Sequence, residues 1–123
     1  MPSDKKRLGD FGEETACRWL RRRGYRILER NFSCRQGEID IIARKGQYVV
    51  FAEVKLRRDD THGQAREFVT TGKQRRIITA AELWLMRNPV ELQPRFDVIE
   101  VYAPEGLGTE KPEIHHIEDA YQL

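Results

Sequence analysis

Cysteine is scarce in this 123-residue chain. Cys17 and Cys34 are the only two, and they form no C-x-x-C pair. That argues against a disulfide framework or a cysteine-built zinc site, and both thiols are expected to be reduced. Histidine is sparse too. His115 and His116 are adjacent, so on a strand their side chains leave from opposite faces and do not easily pinch one ion. His62 stands alone in a polar loop, and no histidine metal site is expected. Long apolar runs are missing, and nothing approaches the roughly 20 residues of a membrane helix. The opening stretch MPSDKKRLGDFGEE is polar and has no signal-peptide core, from which a cytoplasmic protein is expected. No repeat, low-complexity tract or linker divides the chain, so one domain over 1–123 is expected. The segment TTGK (70–73) ends like a phosphate-binding loop, but Glu67 stands where that loop needs glycine.

What the sequence does have is charge, at 34% of residues, above the roughly 25% usual in soluble domains. The net charge of +2 hides an asymmetry. Residues 1–90 hold 20 Lys and Arg against 12 Asp and Glu, whereas residues 91–123 hold 2 against 8. A basic part of this kind suits a polyanion partner, or is a solvated surface.

Periodicity predicts the order αβββαββ. A helix capped by Ser3 or Asp4 runs to about Arg23, with Leu8, Phe11, Gly12, Thr15, Ala16, Trp19 and Leu20 on one side. Strands follow at 25–32, 38–43 and 47–56, with a loop at 34–37, a turn at Lys45-Gly46 and a polar loop at 57–68. A second helix, about 73–88, presents Ile77, Ile78, Ala81, Trp84 and Leu85. Strands at 95–103 and 113–118 flank a loop at 104–112. The expected class is α/β or α+β with a mixed sheet.

The hairpin GEIDIIARKGQYVVFAEVK (37–55) puts Asp40, Glu53 and Lys55 into otherwise apolar runs. Strand alternation groups Glu38, Asp40 and Ile42 on one face, and Val49, Phe51, Glu53 and Lys55 on one face. A turn over 45–48 sets Asp40 opposite Glu53, and a two-residue turn would set Glu38 there instead. Facing carboxylates repel. A hard cation such as Mg²⁺ removes that penalty and is commonly held by one or two carboxylates with water and phosphate. Lys55, on the same face, suits orienting or deprotonating a water, or stabilising charge on a phosphate. Together these groups suit metal-assisted phosphodiester hydrolysis. The bland alternative is an Asp40–Lys55 or Glu53–Lys55 ion pair on a wet sheet face.

An Asp followed twelve residues later by E-V-K on a hairpin resembles the PD-(D/E)-x-K core of restriction-endonuclease-like proteins. Ile39 stands where that motif has proline. More closely, GDFGEETACRWLRRRGYRILERNF, GEIDIIA, VVFAEVKLR, TTGKQRRI and RFDVIEV together resemble the bacterial YraN family, over about residues 8–102. That family is similar in fold and core motif to archaeal Holliday junction resolvases. The resemblance implies a restriction-endonuclease-like fold with Asp40 and Glu53 as metal ligands and Lys55 as the catalytic lysine. The main-chain carbonyl of Val54 is a further candidate ligand, with Mg²⁺ as cofactor and Mn²⁺ as substitute. It also implies a role for Glu13. Helix geometry agrees, since at 100° per residue Glu13 borders the apolar face and Glu14 points nearly opposite, to solvent. Lys73 and Arg76 at the start of the second helix, with Arg57 and Arg58 after the Glu-Val-Lys strand, are candidate phosphate contacts. Cations at a helix start oppose its dipole, which favours a functional role for the first pair. The expected function is a metal-dependent endonuclease acting on DNA, branched or structured forms included, with a homodimer as a plausible assembly. The alternatives are a nucleic-acid-binding module of the same fold without turnover, and a protein-interaction scaffold. Asp97, mid-strand among apolar residues, is left open between a buried partner and a sheet-face carboxylate.

Overall fold

A computed structural model describes residues 3–58 and 69–122. Helix α1 spans Asp4–Arg22, and the Ser3 hydroxyl caps it by accepting from the Lys6 backbone N–H at 3.2 Å. Arg21 and Arg22 lie in its last turn, where cations suit the dipole. Gly24 then takes a left-handed φ of +89°, which glycine adopts without steric cost, and turns the chain into the sheet. Strands β1 (Arg26–Cys34), β2 (Gly37–Lys45) and β3 (Tyr48–Arg57) follow as two hairpins. Helix α2 (Thr71–Arg87) comes next, capped by Thr70. Strands β4 (Gln93–Tyr102) and β5 (Glu113–Tyr121) complete the sheet, with a short 3₁₀ turn at Gly106–Gly108 between them.

The sheet has five strands in sequence order. Neighbours are antiparallel except β3 and β4, which are parallel and joined through α2. The expected order αβββαββ and the mixed α/β class are therefore present. Element ends differ. The first strand runs two residues further than expected, so the loop at 34–37 shrinks to a turn at 35–36. The last strand reaches Tyr121 because Asp119, at a left-handed φ of 52°, lets the strand bend and continue. Most of the polar loop expected at 57–68 lies outside the described residues, as does His62.

Each helix covers one sheet face. On the α1 side, Ala16, Cys17 and Leu20 pack on Ile41, Ala43, Val50, Ala52, Ile99 and Val101. The buried stripe of α1 is Gly12, Ala16, Cys17 and Leu20, turned from the expected one toward Cys17 and away from the half-buried Trp19. On the α2 side, Ile77, Ala80, Ala81 and Trp84 pack on Ile39, Ile42, Val49, Phe51, Phe96 and Val98. Each fully buried Ile, Leu or Val contributes roughly 1.5–3 kcal/mol relative to exposure.

The sheet forks at the middle of β2. The β2–β3 ladder runs from Lys45/Tyr48 to Ile41/Ala52 and stops. Beyond it, Ile39, Glu38 and Gly37 stay paired with β1, while Glu53 through Arg57 stay paired with β4. Side-chain alternation also turns over at this level. Ile41 packs on the α1 side and Ile39 on the α2 side, although they are two residues apart. Across the pair, Arg30 reaches α1 and Phe32 belongs to the α2 core. Asn31, between them, holds a left-handed φ of 54°. Asparagine tolerates that region better than most residues, so it is a natural pivot for such a twist.

Candidate functional site

Asp40 stands at the crotch of this fork. Its Oδ2 accepts the Val54 backbone N–H at 2.8 Å, a group that the vanished ladder would otherwise leave unpaired. The register of β2 and β3, with Lys45 against Tyr48 around the two residues Gly46 and Gln47, puts Asp40 at the level of Glu53. This is the register of the 45–48 turn, and Glu38 does not face Glu53. Gly46 supplies the positive φ, +58°, that so tight a turn needs.

Glu53 is 8% exposed. Its Oε1 is in contact with the Lys73 ammonium and lies 3.9 Å from the Lys55 ammonium. Its Oε2 is buried with no hydrogen-bond partner among the described residues. From α1, Glu13 directs a second buried carboxylate oxygen, Oε1, that also lacks such a partner. Burial pushes the Glu13 carboxyl above its usual range, with the Asn31 side-chain hydrogen bond and Arg30 opposing. Asp40 is raised further, to about 6, first by burial and then by the charges of Glu13, Glu53 and Glu38, against the Val54 hydrogen bond. Three partly or fully buried carboxylates thus gather, and among the described residues lysine contact falls on Glu53 alone.

Both helices are held close to this point. A Cβ added at Gly12 would lie 3.4 Å from the Leu56 side chain and 3.7 Å from that of Val54. At Gly37 an added Cβ would come within 3.2 Å of the Arg76 Cβ and 3.3 Å of its carbonyl oxygen. So Gly12 seats α1 beside β3, and Gly37 seats the start of α2 against β2. Lys73, in the first turn of α2, has its backbone N–H on the Thr70 hydroxyl and its ammonium on Glu53. That carboxylate supplies the favourable contact that a cation at a helix start otherwise lacks.

The other expected residues fall differently. Arg76 and Arg58 are exposed, Arg76 beside Gly37 and Arg58 folded over Gly106. Arg57 is not a bare phosphate contact, because its guanidinium makes a 2.8 Å ion pair with Glu100, which is 1% exposed. The Tyr102 hydroxyl donates to the same Glu100 oxygen at 2.9 Å. Glu14 is corrected: it does not simply face solvent but reaches β1, accepting from Arg30 at 2.8 Å as well as from Arg18 at 3.2 Å. Asn31 and Glu100 were missed. Their only sequence signals are a polar residue beside Phe32 and an acid inside VIEVY.

Asp97 resolves as a buried structural partner. It takes two hydrogen bonds from Arg95, at 3.0 and 2.8 Å, one from the Asp119 backbone N–H at 3.0 Å, and lies 2.6 Å from His116 Nε2. Despite burial, these contacts hold its carboxyl below the usual range. His115 turns to the other face, against Glu113 and Tyr102, so the two histidines do not share an ion.

Comparison with known proteins assigns the lineage. Residues 12–101 match the family described as "Uncharacterised protein family UPF0102". The chain belongs to UPF0102. A UPF0102 protein of Geotalea uraniireducens is 45% identical over 122 residues, covering 98% of this chain and 94% of that protein. One from Geobacter metallireducens is 44% identical over 124 residues, covering 100% and 98%. One from Clostridium perfringens is 40% identical over 124 residues, covering all of both. UPF0102 is the YraN family, so the resemblance expected from the sequence motifs is borne out. No described helix is long and apolar enough to cross a membrane.

The residues fit a hard divalent cation. Asp40 and Glu53 offer oxygen donors, one of them buried and unpartnered, and the fork leaves main chain within reach of both. Among the described residues no three His, Cys, Asp or Glu side chains form a cage of their own. An ion here would therefore take the rest of its shell from main chain, water and substrate, the usual manner of Mg²⁺.

Proposed function

We propose that this protein hydrolyses phosphodiester bonds of DNA with a divalent cation, on a restriction-endonuclease-like fold, at the fork between β2 and β3. One observation carries the reading. Asp40, partly buried, and Glu53, buried, are brought to one level, with Asp40 raised to about 6 and a Glu53 oxygen left without a partner among the described residues. Even with Lys73 on the other Glu53 oxygen, crowding these carboxylates with one oxygen unpartnered costs stability and serves no packing purpose. A bound Mg²⁺ or Mn²⁺ would supply that compensation, activate a water and polarise the phosphate.

The chain's own groups have distinct tasks. Asp40 and Glu53, with the Val54 carbonyl, hold the ion. The Val54 N–H bond to Asp40 keeps one carboxylate oxygen fixed, so the other is left for the metal. Lys55, one strand position beyond on the Glu53 face, directs its ammonium to the scissile phosphate and orients the attacking water. Water adds to phosphorus and gives up a proton to bulk solvent, the bond to the leaving oxygen breaks, and that oxygen takes a proton from bulk solvent. Glu13 stands on the α1 side and fixes the water shell. Lys73, Arg76 and Arg58 line the approach for phosphates of the strand.

The test is cleavage of linear, flapped, four-way-junction and single-stranded DNA in Mg²⁺ or Mn²⁺, with EDTA as blank. Cleavage lost in both Asp40→Asn and Glu53→Gln is expected. A mutant cutting at the wild-type rate refutes the reading. The Lys73–Glu53 contact favours a second reading, a DNA-binding module without turnover, because it neutralises Glu53 without metal. Salt-dependent binding with no cleavage on any substrate would select it.

A further inference from the structure

The feature that the proposed chemistry does not use is the hold that Lys73 keeps on Glu53. It joins α2 to β3 across 20 positions of sequence, and it falls on Oε1 of the carboxylate proposed to bind metal, beside the buried Oε2. The Glu53 side chain is only 10% exposed, and that of Lys73 is 39% exposed. The ammonium therefore reaches inward from the mouth of the fork. Lys55 is also near, but at 3.9 Å from the same oxygen it makes a looser pair. The base of Lys73 is fixed by the Thr70 cap and by the seat of Arg76 on Gly37. Any change at Glu53 can thus be met by the flexible lysine stem alone, with no movement of the helix.

We propose that Lys73 is a built-in counter-ion that occupies the cation position on Glu53 and is exchanged for the divalent ion when metal binds. This rests on the metal-site reading above. The physical argument is competition. A buried carboxylate requires a positive partner. An ammonium on Oε1 and a divalent ion on Oε2 of one carboxylate repel each other at close range. The ammonium thus keeps the fork folded in the absence of metal and lowers metal affinity by the free energy of the contact that must be given up. The residue sets the threshold of metal concentration at which the site assembles.

The experiment is titration of the full chain with Mn²⁺ alone, without DNA, read by isothermal calorimetry and by Mn²⁺ electron paramagnetic resonance. Melting in EDTA and in saturating Mn²⁺ runs beside it. Lys73→Gln is expected to bind Mn²⁺ about tenfold more tightly than wild type, the scale on which a neighbouring like charge acts. It should melt lower than wild type in EDTA and gain more from Mn²⁺. Lys73→Met, which keeps the apolar stem, is the second variant should Gln prevent folding. Lys55→Gln should give a smaller gain. If wild type binds Mn²⁺ and both Lys73 variants bind it equally or less tightly, the inference is overturned and the metal site stands. An equal gain for Lys55→Gln overturns it as well, since the effect is then general charge. No Mn²⁺ binding by wild type or any variant overturns the metal reading and this inference together.

Discussion

Asp40 shows what a candidate functional residue costs the fold around it. Its carboxyl is held at about 6, well above the usual 3.8, mainly by burial. The folded chain therefore binds a proton there that the unfolded chain has released between about pH 4 and 6. Stability from this group is greatest below pH 4 and is lost as pH rises through 6, by on the order of 3 kcal/mol. Asp40→Asn keeps an acceptor for the Val54 N–H and removes the charge. In EDTA at pH 8 it should melt several degrees above wild type while losing metal-dependent cleavage. Thermal melts across pH 4–8 check this, and a wild type as stable at pH 8 as at pH 5 would contradict it. Asp40, Glu53 and Lys55 stood out in the sequence as charges in apolar strands, but the turn length left open whether Asp40 or Glu38 faces Glu53, which the register decides for Asp40. Glu13 came from the family resemblance, and helical spacing agreed with it. The Lys73–Glu53 contact was not legible, since it depends on how α2 lies across the sheet. The different fate of Arg57 was not legible either, because its buried partner Glu100 comes from a strand 43 residues later.

At the scale of elements, order and type could be read from periodicity, but the fork could not. It depends on a contest: the start of β2 stays with β1, and the end of β3 stays with β4. Two small positions keep the helices against that opening. At Gly37 an added Cβ would be tight against Arg76, 3.2 Å from its Cβ and 3.3 Å from its carbonyl oxygen. Gly37→Val should push the start of α2 outward, break the Lys73–Glu53 contact and cost about 1–3 kcal/mol as an overpacked site. Denaturant unfolding measures the loss, and an unchanged midpoint would mean that α2 is not seated there. Asn31 is the pivot of the twist, at φ 54°. Asn31→Ala should cost about 1 kcal/mol in backbone strain, and Asn31→Gly should recover most of it. Equal stability of both variants would place the kink elsewhere.

Over the whole molecule, the charge count read from the sequence proves partly internal. Of the acidic residues that make the last third negative, Asp97 and Glu100 are buried and paired with Arg95 and Arg57. Asp97 also ties β4 to the bent end of β5 through the Asp119 N–H. Asp97→Asn leaves Arg95 only the looser, more exposed Glu118 at 3.9 Å and should cost about 3 kcal/mol, the low end for a broken buried pair, by urea unfolding. Exposed cations remain at Arg76, beside Gly37, at Arg58, over Gly106, and at the other end of the sheet, at Arg21, Arg22, Arg23, Arg26, Arg44 and Lys45. If these contact phosphates, DNA affinity falls steeply with salt, and Arg76→Gln lowers the slope of log K against log salt by about 1. A slope that does not change would remove Arg76 from the interface.

The most direct measurement is anomalous diffraction from crystals grown in MnCl₂. A peak is expected about 2.0–2.2 Å from carboxylate oxygens of both Asp40 and Glu53, with the Lys73 ammonium withdrawn from Glu53. Crystals in saturating Mn²⁺ with no peak at the fork, and Lys73 still on Glu53, would contradict the claim that this site is built for a metal ion.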